Sequence, residues 1–127
     1  GVISIFADKL SKEQGLTING GYQTRDFIYV KDVINIIYRA INLASKNSIC
    51  EISNVLTGKS VTIDELAEKM MKIIDVKVEL SYQTLDAGDP KQSNGSNKKM
   101  CRLFKVEPNN FTKIDNGLMS TVQFILI

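Results

Sequence analysis

The stretch that decides the fold is Tyr22-Gln-Thr-Arg-Asp-Phe-Ile-Tyr-Val-Lys-Asp-Val33, because a predicted strand passes into a predicted helix within it. Residues 25–30 are rich in β-forming side chains, which favours a short strand. From about residue 31 to 44, apolar residues recur at helical spacing and predict a helix with one apolar face. That face comprises Val33, Ile34, Ile37, Tyr38 and Ile41, whereas Asn35, Arg39 and Asn42 are predicted to point away from it.

Upstream of this stretch, the sequence predicts one helix and one strand. Residues 2–14 carry apolar side chains at helical spacing, and Gly15 follows at a position where helices commonly end. Leu16-Thr-Ile-Asn19 is a candidate for a short strand, and Gly20-Gly21 forms the turn that leads to the strand beginning at Arg25.

Downstream, strand and helix patterns alternate. Residues 49–55 predict a strand, and Thr62-x-x-Glu65 forms a capping box that opens a helix over about 63–75. Residues 76–82 alternate as in a half-buried strand, 84–96 predict a loop, and about 96–104 a short helix. A final helix begins near Thr112 with Asp115 completing another cap, and its predicted inward residues are Ile114, Leu118, Val122 and Ile125. This order indicates a mixed α/β fold with small sheets and four to five helices.

The composition is that of an ordinary globular domain, which we place at residues 1–127. A net charge of +2 gives no reason to expect a nucleic-acid or membrane partner. The absence of histidine excludes His-based catalytic triads and His-ligated zinc. Cys50 and Cys101 are predicted to be reduced thiols, and together with the lack of a signal-peptide pattern they predict a cytoplasmic protein.

Two patterns resemble ligand sites but lack residues that such sites require. Gly58-Lys-Ser60 lacks the glycine that a phosphate-binding P-loop needs five residues earlier, since position 53 is serine. Asp64, Glu65 and Glu68 fall in the first turns of a predicted helix, where negative charge is favourable, and no histidine or cysteine joins them. We therefore predict no metal ligands in this chain.

Four segments, in the same order, resemble the NAD-dependent nucleotide-sugar epimerases and dehydratases of the extended short-chain dehydrogenase/reductase superfamily, most of all the UDP-glucose 4-epimerases. Residues 22–33 resemble G-D-G-x-Q-T-R-D-F-[IVW]-[YH]-V-x-D. Asn54-Val-Leu-Thr-Gly58 with the helix start Thr62-Ile-Asp-Glu-Leu-Ala67 resembles the N-V-G-T-G turn and the helix after it. Gly88-Asp-Pro-Lys-Gln-Ser93 resembles G-D-x-x-x-S, and residues 98–108 resemble S-K-A-x-x-x-L-G-W-E-P.

The resemblance implies the C-terminal substrate-binding domain of such an enzyme. Members oxidise the sugar C4 hydroxyl with bound NAD and return hydride, which gives a 4-epimerase, or eliminate, which gives a 4,6-dehydratase such as dTDP-glucose 4,6-dehydratase. The family's Gly-rich NAD loop and Tyr-x-x-x-Lys pair lie upstream of the arginine segment, and neither pattern is in this sequence. We therefore expect no Rossmann core, no catalytic residue and no NAD bound by this chain alone, although the parent enzyme would bind NAD.

The resemblance also implies four substrate-binding residues. Arg25 would hold the diphosphate of a UDP- or dTDP-sugar, and its forked guanidinium can bind two phosphate oxygens at once. Asp89 would help to position the ribose, and Thr17 and Ile18 would contact the substrate. Two alternatives stay open: Arg25 pairs with Asp26 at the surface, or Asp89 binds backbone N–H groups of its own turn.

Three departures from the family surround the expected nucleotide pocket. Asn19 replaces an aromatic residue that lies against the base, Gly20-Gly21 lacks the acidic residue of G-D-G, and Asp86 replaces a second diphosphate-binding arginine. An aspartate beside a diphosphate repels it instead of attracting it. Either the chain recognises an unusual nucleotide sugar or it has lost tight binding, unless Lys91 supplies the second positive charge.

A competing prediction is a non-catalytic domain that binds a nucleotide sugar or mediates assembly. In the family, the regions corresponding to 31–44 and 49–55 lie against the dinucleotide-binding half, which we expect this chain to lack. Without that cover, an apolar helix face and a strand edge favour self-association, so we predict that the isolated chain associates, exchanges strands or repacks.

Overall fold

The computed structural model describes residues 1–46 and 50–126, and these residues form a mixed α/β fold, as predicted. The helices are α1 (Val2–Ser11), α2 (Val30–Lys46), α3 (Ile63–Ile74), α4 (Lys98–Phe104) and α5 (Ile114–Ile125), with a 3₁₀ turn at Pro108–Asn110. The strands are β1 (Leu16–Asn19), β2 (Thr24–Arg25), β3 (Val61–Thr62) and β4 (Leu80–Gln83). None of the helices in the described residues is long and apolar enough to cross a membrane.

The strands form two separate pairs. β1 pairs in parallel with β4, from Leu16 opposite Leu80 to Asn19 opposite Gln83. β2 pairs antiparallel with β3, with Thr24 opposite Thr62. The predicted strand over 25–30 is therefore wrong beyond Arg25, because the next residue, Asp26, turns away to bond with Thr57 and Gly58.

The core lies where α1, α3 and α5 pack around β1. Its buried members are Phe6, Ala7, Leu10, Leu16, Ile18, Ile63, Leu66, Ala67, Met70, Leu118 and Val122. Leu16 and Ile18 are both packed into this core, which holds β1 in place. Thr17 and Asn19 alternate with them along β1 and therefore lie on its exposed side.

The helix ends agree only in part with the sequence signals. The capping box of α3 is confirmed: Thr62 Oγ1 accepts from Glu65 N at 3.0 Å, and Glu65 Oε2 accepts from Thr62 N at 2.8 Å. The predicted stop at Gly15 is wrong, because α1 ends at Ser11 and the chain already turns at Glu13, where φ is 53°.

The predicted cap of α5 is also wrong. Lys113 occupies the N-cap position, the Thr112 N–H donates to Asp32 Oδ2 at 2.9 Å, and Asp115 pairs with Lys69 at 2.8 Å. The pattern paired Thr112 with Asp115, but each of them bonds instead to a residue distant in sequence, Thr112 to Asp32 and Asp115 to Lys69. At the other end of α5, Ile125 is partly exposed and does not face the core, unlike Leu118 and Val122.

The strand predicted at 49–55 is wrong over the described residues, and the strand predicted at 76–82 is confirmed only in its second half. Residues 50–55 form no strand, and Ile49 lies outside the described residues. Residues 50–55 have no strand to pair with, because the strand pairs that the described residues form are β1 with β4 and β2 with β3. Ile52 in this segment is 86% exposed. β4 begins only at Leu80, where pairing with β1 begins.

The apolar face predicted for α2 lies mostly in solvent. Ile34, Ile37, Tyr38 and Ile41 are each more than half exposed, whereas Ile36, on a different side, is buried. The predicted helix is therefore confirmed, and its apolar stripe is exposed and takes no part in the core. The described residues offer no element to cover it, and four large apolar side chains in one stripe are unusual on a helix surface.

Candidate functional site

All four predicted substrate-binding residues lie on one cleft of about 400 Å³. The cleft is open between the start of α1, the exposed side of β1, β2 and the turn that contains Asp89. Its lining residues are Val2, Ile5, Phe6, Thr17, Ile18, Asn19, Gln23, Arg25, Ile63 and Asp89. The walls are thus apolar on the α1 side and polar on the β2 side, a division typical of ligand sites.

Arg25 is held by three hydrogen bonds at the polar wall. Its Nη1 donates to the carbonyl oxygens of Thr24 at 2.9 Å and Pro90 at 2.8 Å, and its Nη2 donates to Asp89 Oδ1 at 2.9 Å. The Arg25 side chain retains 24% of its exposure, so it reaches the cleft without being free in solvent. This arrangement places a fixed positive charge in the cleft, beside a carboxylate that compensates it.

Asp26 does not pair with Arg25, so that alternative is wrong. Its Oδ1 accepts from Thr57 N at 3.0 Å and from Thr57 Oγ1 at 2.6 Å, and its Oδ2 accepts from Gly58 N at 2.7 Å. Thr57 is almost fully buried. Asp26 therefore ties the end of β2 to the 57–58 turn, which fixes the backbone from which Arg25 projects.

We predict that Asp26→Ala lowers the free energy of unfolding by about 1–3 kcal/mol, because it leaves the N–H groups of Thr57 and Gly58 without their acceptor. Urea unfolding followed by circular dichroism measures the change. Asp86→Ala, an exposed aspartate in a turn, is the matched control and should have little effect. Equal unfolding midpoints for the two variants would contradict the structural role of Asp26.

Gln23 is a cleft residue that the sequence reasoning missed. It is 5% exposed, its Nε2 donates to the Asn19 carbonyl at 2.7 Å, and its backbone carbonyl accepts from Ile63 N at 3.2 Å. It therefore ties the end of β1 to the start of α3. Its position in the Tyr22–Val33 stretch, next to Thr24 and Arg25, was the only available signal.

Asn19 and Asp86, two of the departures from the family pattern, contact each other. Asn19 Nδ2 lies 3.4 Å from Asp86 Oδ2, a long hydrogen bond between exposed side chains. Gly20 and Gly21, between β1 and β2, both have positive φ. A Cβ on Gly21 would lie against the Asp64 carboxylate, so this turn requires glycine.

Lys91 contacts β2 through its backbone carbonyl. The Lys91 carbonyl accepts from Thr24 N at 3.0 Å, and Ser93 N donates to the Thr24 carbonyl at 3.1 Å. The segment after Asp89 is thus bound alongside β2. Asp89 itself accepts from Arg25, and not from the N–H groups of its own turn as the second alternative proposed.

Two side chains outside the cleft have shifted pKa values. Partial burial, followed by the nearby Asp64 carboxylate, raises the pKa of Tyr82 on β4. The Lys99 ammonium, which bonds to the Glu51 carboxylate at 2.8 Å, lowers the pKa of Glu51. Among the described residues there is no cluster of three or more side chains suited to bind a metal ion.

Comparison with known proteins gives consistent results. Residues 1–55 match the NAD dependent epimerase/dehydratase family. A curated protein of Methanocaldococcus jannaschii, named "Putative UDP-glucose 4-epimerase", is 42% identical over 90 residues, which are 70% of this chain and 28% of that protein. This chain therefore spans less than a third of that relative.

Solved structures extend the likeness to almost the whole chain. UDP-glucose 4-epimerase from Thermotoga maritima, solved with UDP-glucose, has a TM-score of 0.85 and 28% identity, covering 99% of this chain and 39% of that one. UDP-N-acetylglucosamine 4-epimerase from Methanobrevibacter ruminantium M1, solved with UDP-N-acetylmuramic acid, has a TM-score of 0.82 with the same identity and coverage.

Proposed function

We propose that this chain, which is related to the NAD-dependent nucleotide-sugar epimerases and dehydratases, is the substrate-binding part of such an enzyme. The observation that carries the proposal is the convergence of Thr17, Ile18, Arg25 and Asp89 on one cleft. Arg25 and Asp89 come from two separate motifs and are 64 positions apart in the sequence. A UDP-sugar is the first candidate ligand, because the two solved structures described above each contain one.

Each cleft residue has a chemical role in this proposal. Arg25 binds the diphosphate, since it lines the cleft and its Nη1 is anchored to two carbonyl oxygens. Asp89 accepts hydrogen bonds from the ribose hydroxyls. Thr17 and Ile18 present the edge of a strand that the core holds rigid, so the ligand meets a surface that does not need to be ordered on binding.

The cofactor belongs elsewhere in the parent enzyme. NAD would supply the oxidation and reduction of the sugar, but no Gly-x-x-Gly-x-x-Gly spacing is present among the glycines of this chain, and no tyrosine is followed four residues later by lysine. The residues present therefore do not fit a dinucleotide site. The chain alone holds and orients the substrate and does not catalyse its conversion.

The same proposal accounts for the exposed apolar face of α2. Residues 50–55 run unpaired, and an apolar groove of about 300 Å³ separates them from α2 and α4. We propose that the dinucleotide-binding half of the enzyme packs against the α2 face and pairs with residues 50–55. Such a half would supply the strand partner and the apolar cover that the described residues do not provide.

We predict that the isolated chain self-associates through the α2 face. Ile37→Glu combined with Ile41→Glu should shift the chain toward the monomer in sedimentation velocity, because two charges then interrupt the apolar stripe. Asn35→Glu adds a charge to a polar, exposed position of the same helix and is the control, with no expected shift. A wild-type chain that is monomeric and binds no hydrophobic dye would contradict this prediction.

The competing function, a non-catalytic binding or assembly domain, is favoured by one observation. Asn19 and Asp86 put an amide and a carboxylate where the family has an aromatic ring and an arginine, so the cleft holds less positive charge than expected. A ligand series separates the proposed function from a domain that has lost nucleotide-sugar binding and mediates assembly. Under our proposal, UDP and UDP-glucose bind the chain more tightly than UMP, and uridine binds most weakly, since the diphosphate supplies the main contact. Equal affinities for all four ligands would favour the competing function.

A further inference from the structure

We infer that Asp89 is an exchangeable counter-ion, which leaves Arg25 when a diphosphate binds and then accepts the ribose hydroxyls. This inference deepens the proposed function and rests on it. Recognition of the phosphates and recognition of the ribose would thereby be coupled through one carboxylate. The coupling selects ligands that contain both groups over simple anions.

The geometry separates an anchored part of Arg25 from an exchangeable part. Nη1 is anchored by the carbonyl oxygens of Thr24 and Pro90 at 2.9 and 2.8 Å, and these bonds do not involve Asp89. Nη2 carries the bond to Asp89 Oδ1 at 2.9 Å. The guanidinium would therefore keep its position if the carboxylate moved away, and an Nη2 proton would become available to a phosphate oxygen.

Exposure makes Asp89 the mobile partner of the pair. The Asp89 side chain retains 43% of its exposure against 24% for Arg25, so the carboxylate can enter water at small cost. Gly88, immediately before it, has a φ of +94° and no atom within 4 Å of the position that a Cβ would take. Among the described residues, no other element is thus packed against the turn at Gly88, beside Asp89.

The exchange has a measurable consequence. A phosphate oxygen bound at Nη2 would lie beside the Asp89 carboxylate, which repels it, so inorganic pyrophosphate favours the displacement of Asp89 and gains nothing from the released carboxylate. UDP also displaces it, but its ribose offers two hydroxyl groups to the released carboxylate. Removing the charge of Asp89 should therefore help pyrophosphate more than it helps UDP.

The experiment measures the affinities of pyrophosphate and UDP for the full chain and its variants by calorimetry. In Asp89→Asn, the affinity for pyrophosphate should rise by about two- to fivefold, the range of an exposed ion pair, and the affinity for UDP should rise less or fall. Asp115→Asn breaks another exposed ion pair, the one with Lys69 at 2.8 Å, and neither residue lines the cleft; it is the matched control, with no change in either affinity. Asp89→Ser should repeat the result if Asp89→Asn does not fold.

Two outcomes would overturn the inference. One is an unchanged or reduced affinity of the Asp89 variants for pyrophosphate, and the other is an equal gain in Asp115→Asn. The failure of the proposed function looks different: pyrophosphate and UDP would then bind Arg25→Ala as well as the wild-type chain. Loss of binding in Arg25→Ala, with wild-type behaviour in the Asp89 variants, would leave the proposed function intact and reject the exchange.

Discussion

Arg25→Ala should lower the affinity of the chain for UDP by about 10- to 150-fold, the equivalent of one charge-assisted hydrogen bond of about 1.5–3 kcal/mol. The guanidinium lies at the wall of the cleft with Nη1 anchored to two carbonyl oxygens, so its loss removes a charge that is already in position. Calorimetric titration at constant, low ionic strength measures the change, since salt screens such contacts.

Two further variants show which feature of Arg25 matters. Arg25→Lys keeps the charge but loses the fork, and should recover only part of the affinity. Lys91→Ala removes a positive charge from the adjacent segment and should have the smaller effect if Arg25 is the main phosphate contact. A loss in Lys91→Ala as large as that in Arg25→Ala would instead assign the second charge of the site to Lys91.

Leu66→Ala should be the most destabilising of the substitutions considered, at about 2–5 kcal/mol of unfolding free energy. Leu66 is fully buried on α3, where that helix packs between α1 and α5 and supports β1. The substitution leaves a cavity that these three helices cannot easily close. Urea unfolding should show a lower midpoint, and UDP binding should weaken because the floor of the cleft depends on this core.

Ile52→Ala is the control for the loss of apolar volume. Ile52 is 86% exposed, so its truncation should change the unfolding free energy of the isolated chain by less than about 0.5 kcal/mol. A similar loss of stability in both variants would mean that residues 50–55 are packed in solution, contrary to the structure described above.

Local patterns in the sequence predicted helices more reliably than they predicted contacts between residues distant in sequence. The capping box of Thr62 and Glu65 depends on groups three residues apart, so the pattern contains both partners. The α5 cap failed because Asp32 and Lys69, distant in sequence, contact the same region. Likewise, the parallel pairing of β1 with β4 joins residues 64 positions apart, which no local pattern encodes.

The apolar stripe of α2 shows a different limit. The periodicity correctly predicted the helix and its apolar residues, but periodicity alone does not say what covers such a face. Ile34, Ile37 and Ile41 have the spacing of core residues and are nevertheless exposed. In physical terms, a hydrophobic pattern identifies a surface that favours burial, whether the cover comes from the same domain or from another.

The candidate site was predictable as a set of residues but not as an arrangement. Arg25 and Asp89 were selected separately, one for the phosphates and one for the ribose, and their ion pair was not foreseen. Asn19 and Asp86 were noted as separate departures from the family, and their contact was not foreseen either. Both pairs depend on how the turn after Leu85 folds back beside β1 and β2, which is a tertiary property.

The location of bound ligand tests the central claim most directly. Amide and arginine side-chain NMR signals of the labelled chain, followed during titration with UDP-glucose, would show which residues the ligand contacts. We predict progressive shifts at Thr17, Ile18, Arg25 and Asp89, with little change on α2 and α4. Shifts confined to the α2 and α4 groove, or no shifts at millimolar ligand, would contradict the claim that this cleft binds a nucleotide sugar.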